Sequence, residues 1–322
     1  MKKVFISSFI VALSLLIIPF KNIKSNSDNV LKASAKAENI TETEESVPEE
    51  NITFRIKTDA GIIVLSKEDY IVGVVAAEMP ASYGIEALKA QSVAAYSFAL
   101  YRKNSAKDRE YDLTDSYKTD QSYLNDDALK EKWGDSYTEN INKIRQAVKE
   151  VSGEYLSFEG KPALTLYHSV SSGITNSCKD VFGGDMPYLV SVLCEEDKLS
   201  SDYKSVFSFS EDELKDKLAN LCGNAKSGEN MFESIKTAKS GFVKEIKCAG
   251  AETSGSEVAG LLSLPSATFT VEFNENAYTF YCLGRGHGVG MSQYAAGRMA
   301  ENGSDYKEIL KRFYPGTELQ KK

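Results

Sequence analysis

The stretch VVAAEMPASYGIEALKAQSVAAYSFALYRK, residues 74–103, contains two helical patterns separated by a proline. Pro80 disfavours the α conformation at the residue before it, so the first helix is predicted to end beside Glu78. A second helix is predicted from about Gly84 to Lys103, where apolar residues recur at three- and four-residue spacing. One stripe of this helix is formed by Ile85, Leu88, Ser92, Ala95, Tyr96 and Ala99.

Glu78 has two interpretations at this position. Four-residue spacing puts it on the same helix face as Tyr70 and Val74, so its carboxyl would be partly removed from water. Burial raises the pKa of a carboxyl, and a glutamic acid that keeps its proton near neutral pH can act as a general acid. The alternative is an ordinary glutamate that points into solvent at a frayed helix end. The helical pattern alone favours this alternative.

The chain has 322 residues and a formal net charge of −8. A chain of this length can bury a sizeable core in one or two domains. Non-specific nucleic-acid binding needs a basic surface, and this acidic chain has no basic cluster that would supply one. Nucleic acids are therefore not expected as partners.

The first 21 residues contain an apolar run between basic residues. The run from Val4 to Phe20 has 17 residues, which is at the short end of what spans a bilayer and longer than the usual hydrophobic region of a signal peptide. A secretory signal peptide and an uncleaved single-pass anchor both fit, and the weak cleavage context that follows favours an anchor over residues 1–21. Residues 22–51 are polar and acidic, which is typical of a flexible tether. Residues 52–322 would then form an extracytoplasmic domain.

Strand and helix patterns are mixed in residues 52–322, without an internal repeat. Alternating polarity over residues 52–66 predicts a β-hairpin, a second hairpin is predicted around Glu159-Gly160, and a helix is predicted over about 135–151. Residues 195–240 are charged and carry a helical signal with Ser210 as a candidate cap, which predicts a small helical appendage. The mixture predicts an α+β fold with one main domain.

The segment GRGHGVGMSQYAAG, residues 284–297, has four glycines at alternate positions between a predicted strand and a predicted helix. It lacks the Gly-Lys-Ser/Thr of a phosphate-binding P-loop and the glycine spacing of a dinucleotide-binding turn. Alternating glycines allow the backbone to come very close to a ligand or to another chain segment. His287 could be a base, a donor or a ligand, or a structural histidine bonded to the backbone. Gln293 is of a type that contacts sugars, and is equally an ordinary helix residue.

A candidate zinc set consists of His168, Cys178 and Cys194. Their spacing matches no standard zinc motif, and a closed four-ligand site would lack a member. The five cysteines of the chain are compatible either with free thiols or with one or two disulfides. No G-x-S-x-G or H-E-x-x-H is present, which excludes a serine-hydrolase elbow and zincin-type chemistry.

Four segments resemble, in the same order, those of the stage II sporulation protein D family, which is similar to amidase-enhancer proteins. They are EMPASYGIEALKAQSVAAYSFALY at residues 78–101, TDQSY at 119–123, LYHSVSSGITNS with VFGGDMPYLVSV between 166 and 192, and the segment from GRGHGVGMSQ at 284 to GTEL at 319. The resemblance covers most of residues 52–322. One departure is Tyr96, because family members commonly carry an arginine there.

The resemblance implies a lytic transglycosylase of the bacterial cell wall. The family's sporulation members act on peptidoglycan glycan strands during forespore engulfment, anchored in the mother-cell membrane with the catalytic domain in the intermembrane space. Their partners are an amidase/endopeptidase that first removes stem peptides and a membrane scaffold protein. The glutamate of the E-M-P motif, Glu78 here, is the implied catalytic residue. The candidate glycan contacts are Gln91, Tyr123, Tyr167, His168, His287 and Gln293.

A lytic transglycosylase can work with one carboxyl group, whereas ordinary glycosidases use two. Protonated Glu78 would donate to the oxygen between N-acetylmuramic acid and N-acetylglucosamine, and would then take the proton of the muramoyl 6-hydroxyl as a 1,6-anhydro ring closes. This mechanism needs neither a cofactor nor a second carboxylate such as Glu86 or Asp120. Two alternatives stay open: a non-catalytic wall-binding enhancer of a partner amidase, and a zinc-dependent hydrolase.

Overall fold

The computed structural model describes residues 52–106, 109–222 and 228–322. Helices and strands are mixed throughout these residues, in agreement with the predicted α+β class. The predicted anchor, residues 1–21, and tether, residues 22–51, lie outside the described residues. Among the helices in the described ranges, none combines the length and the apolar character needed to cross a membrane.

The bounds of the elements, in chain order, are as follows. The helices are α1 (Lys67–Glu78), α2 (Ile85–Ser105), α3 (Asp126–Trp133), α4 (Tyr137–Glu150), α5 (Cys178–Phe182), α6 (Glu211–Lys217), α7 (Ala219–Cys222), α8 (Gly255–Leu262), α9 (Gln293–Glu301) and α10 (Tyr306–Phe313). The strands are β1 (Thr53–Thr58), β2 (Gly61–Ser66), β3 (Leu113–Thr114), β4 (Glu154–Phe158), β5 (Lys161–Pro162), β6 (Tyr167–His168), β7 (Lys204–Ser210), β8 (Phe232–Thr237), β9 (Val243–Cys248), β10 (Ala251–Thr253), β11 (Phe269–Asn274), β12 (Ala277–Leu283), β13 (Met291–Ser292) and β14 (Glu318–Lys321).

Both predicted hairpins are present. β1 pairs antiparallel with β2, and its alternate residues Phe54 and Ile56 are fully buried because successive strand side chains point to opposite faces. β4 pairs antiparallel with β5 across a turn in which Glu159 and Gly160 have positive φ angles of 51° and 73°. The C-terminal strand β14 completes this second sheet by pairing with β4.

Helix α2 runs through the first hydrophobic core. It packs against α1, α4, α9, α10 and β4, and its residues from Ala87 to Leu100 are buried except for Lys89. The sequence pattern indicated a single apolar stripe. The structure instead buries the helix on all sides, because its many alanines leave room for neighbours around its whole circumference. A helix surrounded in this way fixes the elements that flank it, including the end of α1.

A second hydrophobic core lies within residues 204–283. It is enclosed by the sheets β11-β12-β7 and β10-β9-β8 with helices α6 and α8. Phe280 is fully buried at its centre and makes edge contacts with Phe209, Phe232 and Phe269. The predicted helical appendage over about 195–240 is thus part of a larger unit that includes strands. The capping role predicted for Ser210 is confirmed, since Ser210 forms a capping box at the start of α6.

A short parallel pair joins distant parts of the chain. β6 pairs with β13 in the register Tyr167–Met291 and His168–Ser292. The loop before β13 returns from the second core, so this pair brings residues near 167 and 290 together. The end of α1 and this parallel pair form the walls of the candidate site.

Candidate functional site

Glu78 is the last residue of α1. The next residue, Met79, has an extended conformation with φ −123° and ψ 138°, as expected for a residue before proline. The Met79 N–H still donates to the Val75 carbonyl at 3.0 Å, so the final turn of the helix is closed. The predicted helix end is confirmed, and no further helical turn follows the Glu78 side chain.

The Glu78 carboxylate is half-buried and is held by the following loop. Its Oε1 accepts a hydrogen bond from the Ser122 backbone N–H at 2.7 Å. Burial raises the pKa of Glu78, and this effect outweighs the hydrogen bonds from Ser122 and the positive charge of Lys132, which lower it. The carboxyl therefore holds its proton more strongly than an ordinary glutamate does.

The TDQSY loop that carries Ser122 is fixed to α1 and α2. Asp120 forms a buried ion pair with Arg102, with 2.6 Å between Oδ1 and Nε. The Gln121 Nε2 donates to the Tyr70 hydroxyl at 3.2 Å, and its Oε1 accepts from the Tyr167 hydroxyl at 2.7 Å. The loop thereby connects Glu78 to β6 through buried hydrogen bonds.

The alternating glycines allow close contact between two chain segments. Gly284, Gly286, Gly288 and Gly290 all have positive φ, between 74° and 97°. A Cβ on Gly290 would lie 1.9 Å from the Leu166 carbonyl oxygen, and one on Gly284 would lie 2.6 Å from the Val170 carbonyl oxygen. Of the two uses proposed for these glycines, the structure shows the approach to another segment of the chain.

His168 and His287 face each other with ring centroids 6.0 Å apart. The His168 Nδ1 lies 3.2 Å from the Val289 carbonyl oxygen, which only accepts, so this nitrogen carries the proton. The His287 Nδ1 accepts from the Val289 N–H at 3.0 Å. Burial lowers the pKa of His168 to about 3 and that of His287 to about 4. Both rings are therefore neutral at physiological pH.

Glu78, part of the TDQSY loop and the two histidines line one cleft of about 710 Å³. The volume lies within the range of about 300–1,000 Å³ that is typical of small-molecule sites. Of the predicted site residues, the cleft wall contains Glu78, Tyr167, His168, His287 and Gln293. The cleft thus brings Glu78, whose pKa is raised, onto one concave surface with residues more than 200 positions away in the sequence.

Comparison with known proteins assigns the chain to a family. A family model described as stage II sporulation protein matches residues 58–158. Stage II sporulation protein D of Bacillus amyloliquefaciens is 32% identical over 315 residues, which cover 95% of this chain and 90% of that protein. The protein of the same name from Bacillus subtilis (strain 168) is 33% identical over 319 residues, with the same two shares of 95% and 90%. The chain belongs to the stage II sporulation protein D family.

The amidase enhancer of Bacillus subtilis (strain 168) is a further relative. It is 29% identical over 298 residues, which cover 77% of this chain and 40% of that longer protein. The resemblance inferred from the four sequence segments is therefore confirmed. The family match includes Glu78 and the TDQSY loop, and the alignments with the two stage II sporulation proteins D extend over nearly the whole chain.

Two of the predicted glycan contacts do not line the cleft. Gln91 is fully buried in α2, where its Oε1 lies 3.4 Å from the Gln293 Nε2. Tyr123 packs on Tyr70 with 5.9 Å between ring centroids and covers Gly73, whose missing side chain makes room for it. Gln91 therefore supports the cleft through Gln293, whereas Tyr123 packs on α1 instead of lining the cleft.

The candidate zinc set does not fit a metal ion. No group of three histidine, cysteine or acidic side chains in the described ranges is arranged to hold one. Burial raises the pKa of Cys178 to about 11 and that of Cys194 to about 12, so both are protonated thiols at physiological pH. Both are free thiols in the first core, whereas Cys248 is disulfide-bonded.

Two cations of the cleft were missed by the sequence interpretation. Lys132 lies on α3, a helix that was not predicted, although Asn125 followed by two aspartates is a typical helix start. The Lys132 Nζ donates to the Ala76 carbonyl at 2.9 Å, two residues before Glu78. Arg285 lies in the same glycine segment as His287, which was the candidate site residue predicted there.

Proposed function

We propose that this stage II sporulation protein D family member is a peptidoglycan lytic transglycosylase. The observation that carries the proposal is Glu78: a carboxyl with a raised pKa, held at the wall of a cleft large enough for sugar rings. A raised pKa favours the protonated carboxyl, which can give its proton to a leaving oxygen. Family membership supports a role in sporulation, and the cell wall is the substrate that this role suggests.

The proposed reaction uses Glu78 twice. Its proton passes to the glycosidic oxygen between N-acetylmuramic acid and N-acetylglucosamine, and the bond from that oxygen to the muramoyl C1 breaks. The Glu78 carboxylate then accepts the proton of the muramoyl 6-hydroxyl, whose oxygen bonds to C1 and closes the 1,6-anhydro ring. Glu78 is protonated again at the end, and no water is consumed. The Ser122 N–H supports the carboxylate while it lacks its proton.

The two other carboxylates considered for a catalytic role, Asp120 and Glu86, are engaged elsewhere. Asp120 lies at the cleft but is neutralised by Arg102 and accepts from the Thr114 N–H at 2.9 Å. Glu86 pairs with Lys89 at 2.7 Å and accepts from the Tyr306 N–H. A mechanism with a single carboxyl therefore suits the cleft better than the two-carboxylate mechanism of ordinary glycosidases.

The test is product analysis on peptide-free glycan strands. Full-length chain, purified in mild detergent because of its apolar N-terminal run, is incubated with the strands, and mass spectrometry identifies the new ends. We expect 1,6-anhydromuramic ends with the wild type and none with Glu78→Gln. Glu86→Gln is the matched control and should cleave at the wild-type rate. Absence of anhydro ends with the wild type would refute the activity, and cleavage by Glu78→Gln would refute the site.

A second candidate function is a non-catalytic enhancer of a partner amidase. The observation that favours it is the similarity to the amidase enhancer of Bacillus subtilis (strain 168). On this hypothesis the chain binds the wall and raises the rate of a separate amidase/endopeptidase, and Glu78→Gln raises it equally.

We also propose, from the N-terminal apolar run, a single-pass anchor in the mother-cell membrane, with a scaffold protein as neighbour. Sodium carbonate extraction of sporulating cells would test the anchor.

A further inference from the structure

The cleft wall contains four charged side chains: Glu78, Asp120, Lys132 and Arg285. Asp120 is neutralised by its ion pair with Arg102. Lys132 donates to the Ala76 carbonyl and lowers the pKa of the neighbouring Glu78, so its charge acts on that carboxyl. Arg285 is the cation of this set whose charge the proposed reaction does not use.

The hydrogen-bonding capacity of Arg285 is poorly used within the described residues. Its Nη2 lies 3.4 Å from the Asp202 Oδ1, which is long compared with the about 2.7–2.9 Å of a charge-assisted hydrogen bond. The Arg285 side chain is 30% exposed and that of Asp202 49%, and surface ion pairs of this kind contribute little. The Nε atom is buried and has no hydrogen-bond partner in the described part of the chain. A guanidinium with open donors at a cleft is suited to bind an anion.

The backbone holds Arg285 firmly in place. Its N–H donates to the Val170 carbonyl at 2.7 Å, and the Val170 N–H donates back to the Arg285 carbonyl at 3.2 Å. The flanking Gly284 and Gly286 approach the 168–171 segment so closely that the loop has no space to shift towards it. Fixed backbone around a recognition side chain reduces the ordering cost of binding.

The substrate of the proposed function carries a matching anion. In a peptide-free strand each N-acetylmuramic acid ends its lactyl ether in a free carboxylate, whereas in a peptide-bearing strand the same carbon is an uncharged amide. We propose that Arg285 binds this lactyl carboxylate through its guanidinium and so selects peptide-free strands. The planar fork of arginine matches the two oxygens of a carboxylate. This inference rests on the proposed function and adds the group by which the cleft recognises its substrate.

The experiment compares three forms of one glycan preparation with full-length chain. These are peptide-free strands, the same strands with the lactyl carboxylates converted to methylamides, and peptide-bearing strands. With the wild type we expect kcat/KM to be roughly 10- to 100-fold higher on the free carboxylate than on the methylamide, the usual range for a hydrogen bond to a charged group. Peptide-bearing strands should behave like the methylamide, because their carboxylates lie on the peptide and not on the lactyl group.

Arg285→Gln should remove this preference by raising KM on the carboxylate strands much more than on the methylamide strands. An unchanged free energy of unfolding in urea shows that the variant is folded. Arg285→Lys, which keeps the charge and loses the fork, should fall between the two. Arg298→Gln is the matched control: Arg298 pairs with Glu301 on α9 outside the cleft wall, and the preference should persist.

The outcomes separate this inference from the proposed function. A wild type that forms no anhydro ends on any strand overturns the proposed function and this inference with it. A wild type that cleaves peptide-free strands without preferring the free carboxylate overturns the inference alone. The same holds if Arg285→Gln keeps the wild-type preference, because the carboxylate would then be recognised by another group.

Discussion

The proton of Glu78 is governed by a small number of neighbours. Burial raises its pKa, while the Ser122 hydrogen bonds and the Lys132 charge lower it. The hydroxyls of Tyr70 and Tyr167 are also close enough to interact, and burial raises the pKa of both phenols, so they stay neutral. Lys132 is thus the charged side chain among these neighbours, and its removal should show directly how strongly Glu78 holds its proton.

On the proposed function, Lys132→Met should move the alkaline limb of the pH–rate profile to higher pH. A general acid works while protonated, so the rate falls as pH rises through the pKa of Glu78. Loss of the cation raises that pKa, and the fall then begins later. The measurement is kcat on peptide-free strands across pH. Lys89→Met is the control, since Lys89 pairs with Glu86 and Glu150 outside the cleft wall, and a shift of equal size there would contradict the argument.

The two histidines should make the fold sensitive to acid. Their pKa values of about 3 and about 4 lie below the ordinary value of 6.5, so between these limits the unfolded chain binds more protons than the folded chain. Stability should therefore fall as pH decreases from 6.5 towards 4. His287→Gln should reduce this fall, measured as the free energy of unfolding in urea at each pH. An unchanged pH dependence in the variant would show that the ring is not buried in its neutral form.

At the scale of elements, the glycine loop depends on the contact between Gly290 and β6. Gly290→Ala would set a Cβ against the Leu166 carbonyl at a φ of 74°. Gly183 has nearly the same φ, 75°, with no atom within 4 Å of its Cβ position, so Gly183→Ala isolates the cost of the φ angle. That cost is about 1–2 kcal/mol. We expect Gly290→Ala to be more destabilising by a further ~1–3 kcal/mol in urea unfolding. Equal losses would show that the loop can move away.

Elements that are determined by residues adjacent in the sequence could be predicted. Pro80 determines the end of α1 through a local steric effect, and alternating polarity determines the hairpin of β1 and β2. The position of Gln91 behind the cleft could not be inferred, because helical spacing does not reveal which helices surround α2. The same limit applies to the second core, whose strands pair across long stretches of sequence. Glu78 itself was identified through family motifs, since the helical pattern alone favoured an ordinary helix end.

At the scale of the whole molecule, the two hydrophobic cores are largely separate. Among the described residues, Val181 alone packs against both cores. The chain passes between the two cores near residues 204 and 283. We therefore expect two transitions in calorimetry of the full-length chain. Phe280→Ala, in the second core, should destabilise that core by about 3–5 kcal/mol and shift one transition.

Phe313→Ala is the matched variant in the first core, where Phe313 is fully buried. It should shift the other transition. A single endotherm that moves as a whole with either substitution would show that the two cores unfold together.

The parallel pair of β6 and β13 has a consequence for the order in which the protein matures. The wall that faces Glu78 includes His287 and Gln293, so the cleft cannot close before the last tenth or so of the polypeptide has joined the fold. A chain still being synthesised, or one cut short near residue 280, carries Glu78 without the surface opposite it. On the proposed function, the chain should therefore be inert towards glycan strands until these last residues have joined the fold.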